Sequence, residues 1–258
     1  MIFEKHNIGE QKNAAYFALC DMMRDFDVGA SYADMMRLRI SGAVSGECHD
    51  VYYIAHEDGV GIGRHWNGWG KHADSIGNWG NFFVNGEYRG KGIGGKLLDL
   101  WWKDFHACED RPLCFLCATG NKELATKVYS RFGFVPAMEG ADHGPLYMPI
   151  GNSPSSFREF YRSYYKPSGR IIHKRATVEY RHEIDCLLRF AFMDLGNPFG
   201  IGDALSIESA LLYYPERAGI LFSEDGHVVG WSFDGKIQVY PLYSHSVIEN
   251  FNDLGFRV

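Results

Sequence analysis

The sequence predicts an α/β protein with a mixed, mainly antiparallel sheet flanked by helices, and three observations carry that prediction. Two β-rich runs in DVYYIAHEDGVGIGRHW (50–66) meet at Glu57-Asp58-Gly59, a hairpin signal of the Asp-Gly kind. From Ile93 the apolar period becomes helical, with Ile93, Leu97, Leu98, Trp101, Trp102 and Phe105 on one face. After residue 170 the chain begins again: ILFSEDGHVVGWSF (220–233) has the shape of YIAHEDGVGIGRHW (53–66).

Taken in order, residues 2–6 (IFEKH) read as a first strand, and Ala14, Phe17, Ala18, Met22 and Phe26 follow at helical spacing. A second helix is predicted from Tyr32 to about Ile40. After the hairpin, IGNWGNFFV (76–84) reads as a strand closed by Asn85-Gly86. The helix from Ile93 leads into a strand in LCFLCA (113–118). Asn121 to Arg131 form a short helix with Leu124, Ala125 and Val128 on its apolar face; Gly133 ends it, and strands occupy Phe134 to Met148. The first 150 residues thus read β, α, α, β, β, β, α, β, α, β. Residues 151–170 begin and end with Pro, Ser and Gly and read as a connector with a short helix. The expected domains are therefore 1–150 and a smaller 171–258.

A second echo, FNDLGF (251–256) after YSRFGF (129–134), falls in the same order as the first and suggests an internal duplication. The later copy is shorter by about 45 residues, taking in the region of the glycine-rich loop. It is expected to be degenerate and non-catalytic.

Composition narrows the classes. With 46% hydrophobic and 22% charged residues the 258-residue chain is globular, and it shows neither an apolar run of membrane length nor the apolar core of an export signal. A cytoplasmic protein without a membrane partner is expected. The net charge of −6 argues against broad nucleic-acid binding and suits a cationic small substrate. The six cysteines read as reduced thiols. His106, Cys108, Cys114 and Cys117 resemble a zinc set, but LCFLC reads as a buried strand in which residues three apart face opposite ways, so no metal is expected.

The stretch NGEYRGKGIGGKLL (85–98) lies between a strand and a helix. A helix N-terminus offers unpaired N–H groups and a positive dipole end, and glycines let a phosphate come close. Gly90, Gly92 and Gly95 fit GxGxxG, a dinucleotide formula. However, a hairpin-rich region precedes the loop where a βαβ unit would require a parallel strand, and Arg89 adds a cationic fork suited to a pyrophosphate.

EYRGKGIGGKLL resembles the pyrophosphate loop of the GNAT N-acetyltransferases, R/Q-x-x-G-x-G/A, with Arg89, Gly92 and Gly94 on the signature positions. NKELATKVYSRFGF (121–134) is similar to that family's second motif through Asn121, Ala125, Tyr129 and Gly133-Phe134. The resemblance covers roughly residues 1–150, and the order of elements agrees with it. It implies acetyl-CoA as co-substrate, held by the amides of about Arg89, Gly90, Lys91, Gly92, Ile93, Gly94, Gly95 and Lys96, with Phe83 and Val84 beside the pantetheine arm. A backbone N–H near Val84 would polarise the thioester carbonyl, Asn121 would contact the cofactor arm, and Tyr129 would protonate the leaving thiolate. The acceptor would be a primary amine of a small molecule or peptide, and a homodimer is left open.

The same residues have plainer readings. Tyr129 could be a core tyrosine, Asn121 a helix N-cap, and Arg89, Lys91 and Lys96 solvated charges. Where many family members carry a glutamate on the fourth strand this chain has Asn78, which takes no proton. Nearby ionisable residues are His65, His72, Asp74 and Glu87; His72, oriented by Asp74 if the segment is extended, is the candidate base, alongside a water chain. RHWNGWGKHADSIGNWGN (64–81), with three tryptophans, reads either as core packing or as an aromatic acceptor pocket. Against N-acetyl transfer stand a non-catalytic CoA-binding module and a dinucleotide-dependent oxidoreductase.

Overall fold

In a computed structural model of the chain, the predicted hairpin closes through Asp58 (φ 49°) and Gly59 (φ 81°), both left-handed as a tight two-residue turn demands. The structure describes residues 1–9, 12–24, 40, 42, 46, 48–167, 169–175, 177–195, 210, 211 and 213–249. The predicted helix over 32–40, Ile40 apart, and the echo at 251–256 lie outside the described residues.

The first of two compact units comprises Met1–Ala73 and Gly77–Pro112. It contains β1 (Ile2–Asn7), α1 (Ala14–Arg24), β2 (Cys48–Glu57), β3 (Val60–Gly70), β4 (Gly77–Val84) and α2 (Ile93–Ala107). The four strands pair antiparallel in chain order. Side chains alternate between faces along each strand, so Tyr52, Ile54 and Trp66 bury against Ala15, Ala18, Leu19 and Met22 on the α1 side. Tyr53 and His65 take the opposite face, where α2 supplies Asp104 and Trp101 as neighbours. Of the two readings of 64–81, core packing is favoured: β3 continues to Gly70, and Trp66, Trp69 and Trp79 are buried.

The second unit comprises Asp74–Ile76 and Leu113–Val258. In it β5 (Cys114–Thr119) pairs antiparallel with β7 (Gly144–Pro149), which also pairs with β6 (Val135–Pro136). A five-stranded sheet follows, ordered β11 (Lys236–Val239), β10 (Val228–Phe233), β9 (Ala218–Ser223), β8 (Arg170–Arg175), β12 (Val247–Glu249), antiparallel except for β12 against β8. Its helices are α3 (Phe157–Tyr164) and α4 (Arg181–Leu195). The compact division thus falls at Pro112/Leu113 and not near residue 150. The reason lies in α3, inside the expected connector. Ser156 caps it by accepting from the Glu159 N–H at 3.2 Å, and Phe157, Phe160, Tyr161 and Tyr164 form one buried stripe. Phe157 and Phe160 each lie 5.5 Å from the ring of Tyr147 on β7, so the segment is core.

The two halves share local geometry as well as sequence. Gly63 pairs with Val84 and Ala55; Gly230 pairs with Val239 and Leu221, and a bulge precedes each glycine. A Cβ on Gly63 would meet the Phe83 carbonyl oxygen at 3.1 Å, and one on Gly230 the Gln238 carbonyl oxygen at 2.3 Å. A neighbouring backbone therefore crowds Gly63 and rules out a Cβ at Gly230 without a shift. A short 3-10 turn follows each fourth strand of the series, Gly86–Tyr88 after β4 and Pro241–Tyr243 after β11.

Candidate functional site

The glycine-rich loop grows out of the end of β4. The Asn85 N–H donates to the Ile62 carbonyl at 2.8 Å, so Asn85 turns toward β3 and Val84, one residue earlier, turns its N–H and C=O away from it. Arg89 fastens this end, its Nε donating to the Val84 carbonyl at 3.0 Å. Gly90 and Gly92 both sit at φ 76°, where an L-residue would be strained, and a Cβ on either would point into open space. Gly92 is also the N-cap of α2, and no side-chain hydrogen bond caps this helix start. Gly94 is small for a different reason: its Cβ would lie 2.8 Å from the Phe82 ring. Around this exposed turn Lys91 Nζ lies 4.9 Å from the Tyr88 ring centre and Lys96 Nζ 5.3 Å from that of Phe3. The geometry is that of a backbone anion site with three cations nearby.

A polar network missed in the sequence shapes the strand that feeds this loop. Asn81 occupies a β4 bulge in the left-handed region (φ 51°), which asparagine tolerates. Its Oδ1 accepts from Arg64 Nε at 3.0 Å and its Nδ2 donates to the Tyr52 hydroxyl at 3.0 Å. Arg64, fully buried, also donates from Nη1 to the Met22 carbonyl at 3.1 Å and lies 4.8 Å from the Phe83 ring centre. The signal was the slip in strand alternation at Gly80-Asn81, where Gly-Asn interrupts an aromatic run.

In the second unit, Asn121 and Tyr129 share a wound segment. Asn121 Oδ1 accepts from the Leu124 N–H at 3.1 Å, so it is an N-cap, with its amide nitrogen left for other contacts. The expected short helix is wound as a π-turn, Leu124–Val128, followed by a 3-10 turn, Tyr129–Phe132, and ended by Gly133 at φ 92°. π-turns occur often at functional sites. Tyr129 is buried, 6.1 Å from Phe134 between ring centres; burial first, then the nearby Cys117 thiol, pushes its hydroxyl well above the ordinary tyrosine range.

The His72 and Asp74 assignment does not survive the strand register. Residues 71–74 form a turn with Asp74 at φ 58°, not an extended segment, and His72 Nδ1 donates to the Ala73 carbonyl at 2.9 Å. That turn joins β3 to β4 at the Trp69–Gly77 end, whereas Val84 pairs with Gly63 at the other. Eight residues of β4 span about 23 Å. His72 therefore stands far outside the roughly 3 Å reach that proton removal at Val84 would need. His65 is no substitute: it points to the α2 face, fully buried, and burial pushes its imidazole down to about 3. No group of three or more His, Cys, Asp or Glu side chains that could hold a metal occurs among the described residues.

A strand end that turns its peptide outward, a left-handed glycine loop and a helix start without a side-chain cap meet here in the first unit. Residues 48–136, from β2 to β6, match the acetyltransferase (GNAT) domain family. No curated protein matches the chain. Among solved structures it is similar to Escherichia coli ElaA (16% identity, 58% of this chain and 100% of that one, TM-score 0.42). A chain of the NatC complex bound to Gag peptide and CoA gives 17%, 58%, 100% and 0.39. A GNAT family acetyltransferase from Brucella melitensis in complex with acetyl-CoA gives 17%, 58%, 89% and 0.38.

Proposed function

We propose that the chain moves an acetyl group from acetyl-CoA to a primary amine of a small molecule or peptide by direct attack in a ternary complex. The observation that carries this reading is the loop 89–96, in which left-handed Gly90 and Gly92 open onto solvent at an uncapped helix start flanked by Arg89, Lys91 and Lys96. Those residues fit a pyrophosphate, and acetyl-CoA supplies the activated thioester. The Val84 N–H, turned away from β3, stabilises the oxyanion. Tyr129, held protonated by burial, gives its proton to the departing sulfur. With a β4 that offers Asn78 in place of a carboxylate, the amine enters as its free base and loses its second proton to water.

The net charge of −6 supports a cationic acceptor. The matching registers of Gly63 and Gly230 support the second half as a degenerate copy that carries no cofactor loop. The test is thiol release from acetyl-CoA across a panel of polyamines, amino acids and peptide N-termini. Amine-dependent release with acetylated product supports transfer; acetyl-CoA binding without release from any amine would leave a CoA-binding module instead.

A further inference from the structure

The first unit holds a cavity of about 210 Å³ at the end of the sheet away from the glycine loop. Its floor follows from register. Lys5 pairs with Tyr53, and His49 with Trp69; Asn67 pairs with Val51, and all project to the α2 face, where Asp104 from the last turns of α2 closes one side. Ile93 and Ala107 bound a 15-residue helix, so the cavity lies about 20 Å from the helix start that faces the loop.

Five features describe what would fill it. Asn67 is 2% exposed, and its Oδ1, on the cavity wall, accepts no hydrogen bond among the described residues. A buried acceptor of this kind is costly until a donor arrives. His49 and Trp69 stack on one another with ring centres 4.8 Å apart and planes 28° apart, so the pair is a two-ring stack with an outer aromatic face, and Trp69 is fixed by donating from Nε1 to the Asp110 carbonyl at 3.0 Å. Lys5 pairs with Asp104 at 2.9 Å, and the Tyr53 hydroxyl donates to Asp104 at 2.6 Å, so the carboxylate is already neutralised. Burial, and after it the charge of Lys71, lowers the His49 pKa, which keeps that wall uncharged. Finally, the volume equals that of about seven waters, room for one or two fused rings.

We propose that this cavity is a binding site for a neutral, planar nitrogen heterocycle of nucleobase size, extending the His49–Trp69 stack and donating a ring or exocyclic N–H to Asn67. The site is separate from the acetyl-CoA loop and does not depend on the acetyltransferase reading.

Calorimetry and tryptophan fluorescence with uracil, cytosine and adenine test it. At least one base should bind saturably with a dissociation constant below about 1 mM. 1,3-Dimethyluracil, which keeps the ring and lacks N–H donors, should bind at least tenfold more weakly than uracil. Asn67→Ala should lose the same tenfold. Lys5→Met, on an edge strand, keeps the fold measurable and exposes the Asp104 charge, so it should favour protonated 2-aminopyridine over the neutral bases. Binding should persist in saturating CoA. No binding by any base, equal binding of the methylated ring, displacement by CoA, or an unchanged preference in Lys5→Met would each overturn the proposal.

Discussion

Replacing Gly92 by alanine isolates what the loop geometry contributes. The residue sits at φ 76° with nothing within 4 Å of a would-be Cβ, so the substitution introduces backbone strain and no clash. Left-handed geometry costs a non-glycine residue about 1–2 kcal/mol. If the loop keeps its shape, the strain is paid in stability, and Tm falls by about 2–8 °C for a chain of this size. If instead the free loop relaxes and acetyl-CoA must restore it, the same energy appears as a roughly 5- to 30-fold loss of affinity. Gly95→Ala is the internal control: it is also open around its Cβ but not left-handed, and alanine in the first turn should raise stability by about 0.5–1 kcal/mol. Thermal melts and calorimetry with acetyl-CoA read both columns. The reasoning fails if Gly92→Ala combined with Arg89→Ala leaves the acetyl-CoA dissociation constant within about twofold of the parent.

Tyr129→Phe keeps the buried ring and should lower kcat by about 10²-fold while acetyl-CoA affinity holds, as steady-state kinetics beside calorimetry would show; an unchanged kcat removes the general-acid role. Asn81→Ala strips partners from both Arg64 and Tyr52 and should cost about 1–3 kcal/mol in denaturant melts, and Asn81→Gly, which tolerates the left-handed angle, should cost nearly as much if the hydrogen bonds dominate. His65 gives a pH dependence: its folded pKa of about 3 lies below the unfolded value near 6.5, so between those values only the unfolded chain takes up a proton. Stability is full above about pH 6.5 and falls toward pH 3 by up to about 1.4 kcal/mol per pH unit from this group; His65→Gln should flatten that slope in melts at pH 7 and pH 5. His49, His173 and His227 are shifted in the same direction and leave a residual slope in that variant.

What could be read from the sequence were features set by near neighbours. The Asp58-Gly59 turn, the α2 stripe and the loop glycines depend on positions a few residues apart, and each is found where the spacing puts it. The features lost were set by distant partners. Asn81 looks like one more polar residue in NWGNFF until Arg64 and Tyr52, 17 and 29 residues away, reach it across two strands. His72 looked reachable because sequence distance to the loop is short, yet a strand run straight away from it makes the separation in space long. In 151–170, read as a connector with a short helix, the helix is found but its packing was not legible, since the partner of its aromatic stripe, Tyr147, belongs to an earlier strand.

The glycines separate fold from site. Gly63 and Gly230 each have a carbonyl of the next strand against them, so a larger residue would crowd that strand at Gly63 and force it to shift at Gly230. Gly90 and Gly92 touch nothing; their value lies only in a left-handed turn and in access for an incoming group. Such residues can be lost without disturbing the strands that precede them. After β11 the chain reads YPLYSHSV (240–247), with a proline and two tyrosines in place of the glycine loop, and Tyr243 is buried. On the proposed duplication, the second hairpin keeps the register of the first and lacks the glycine loop. That is the order of loss expected when packing and binding rest on different glycines.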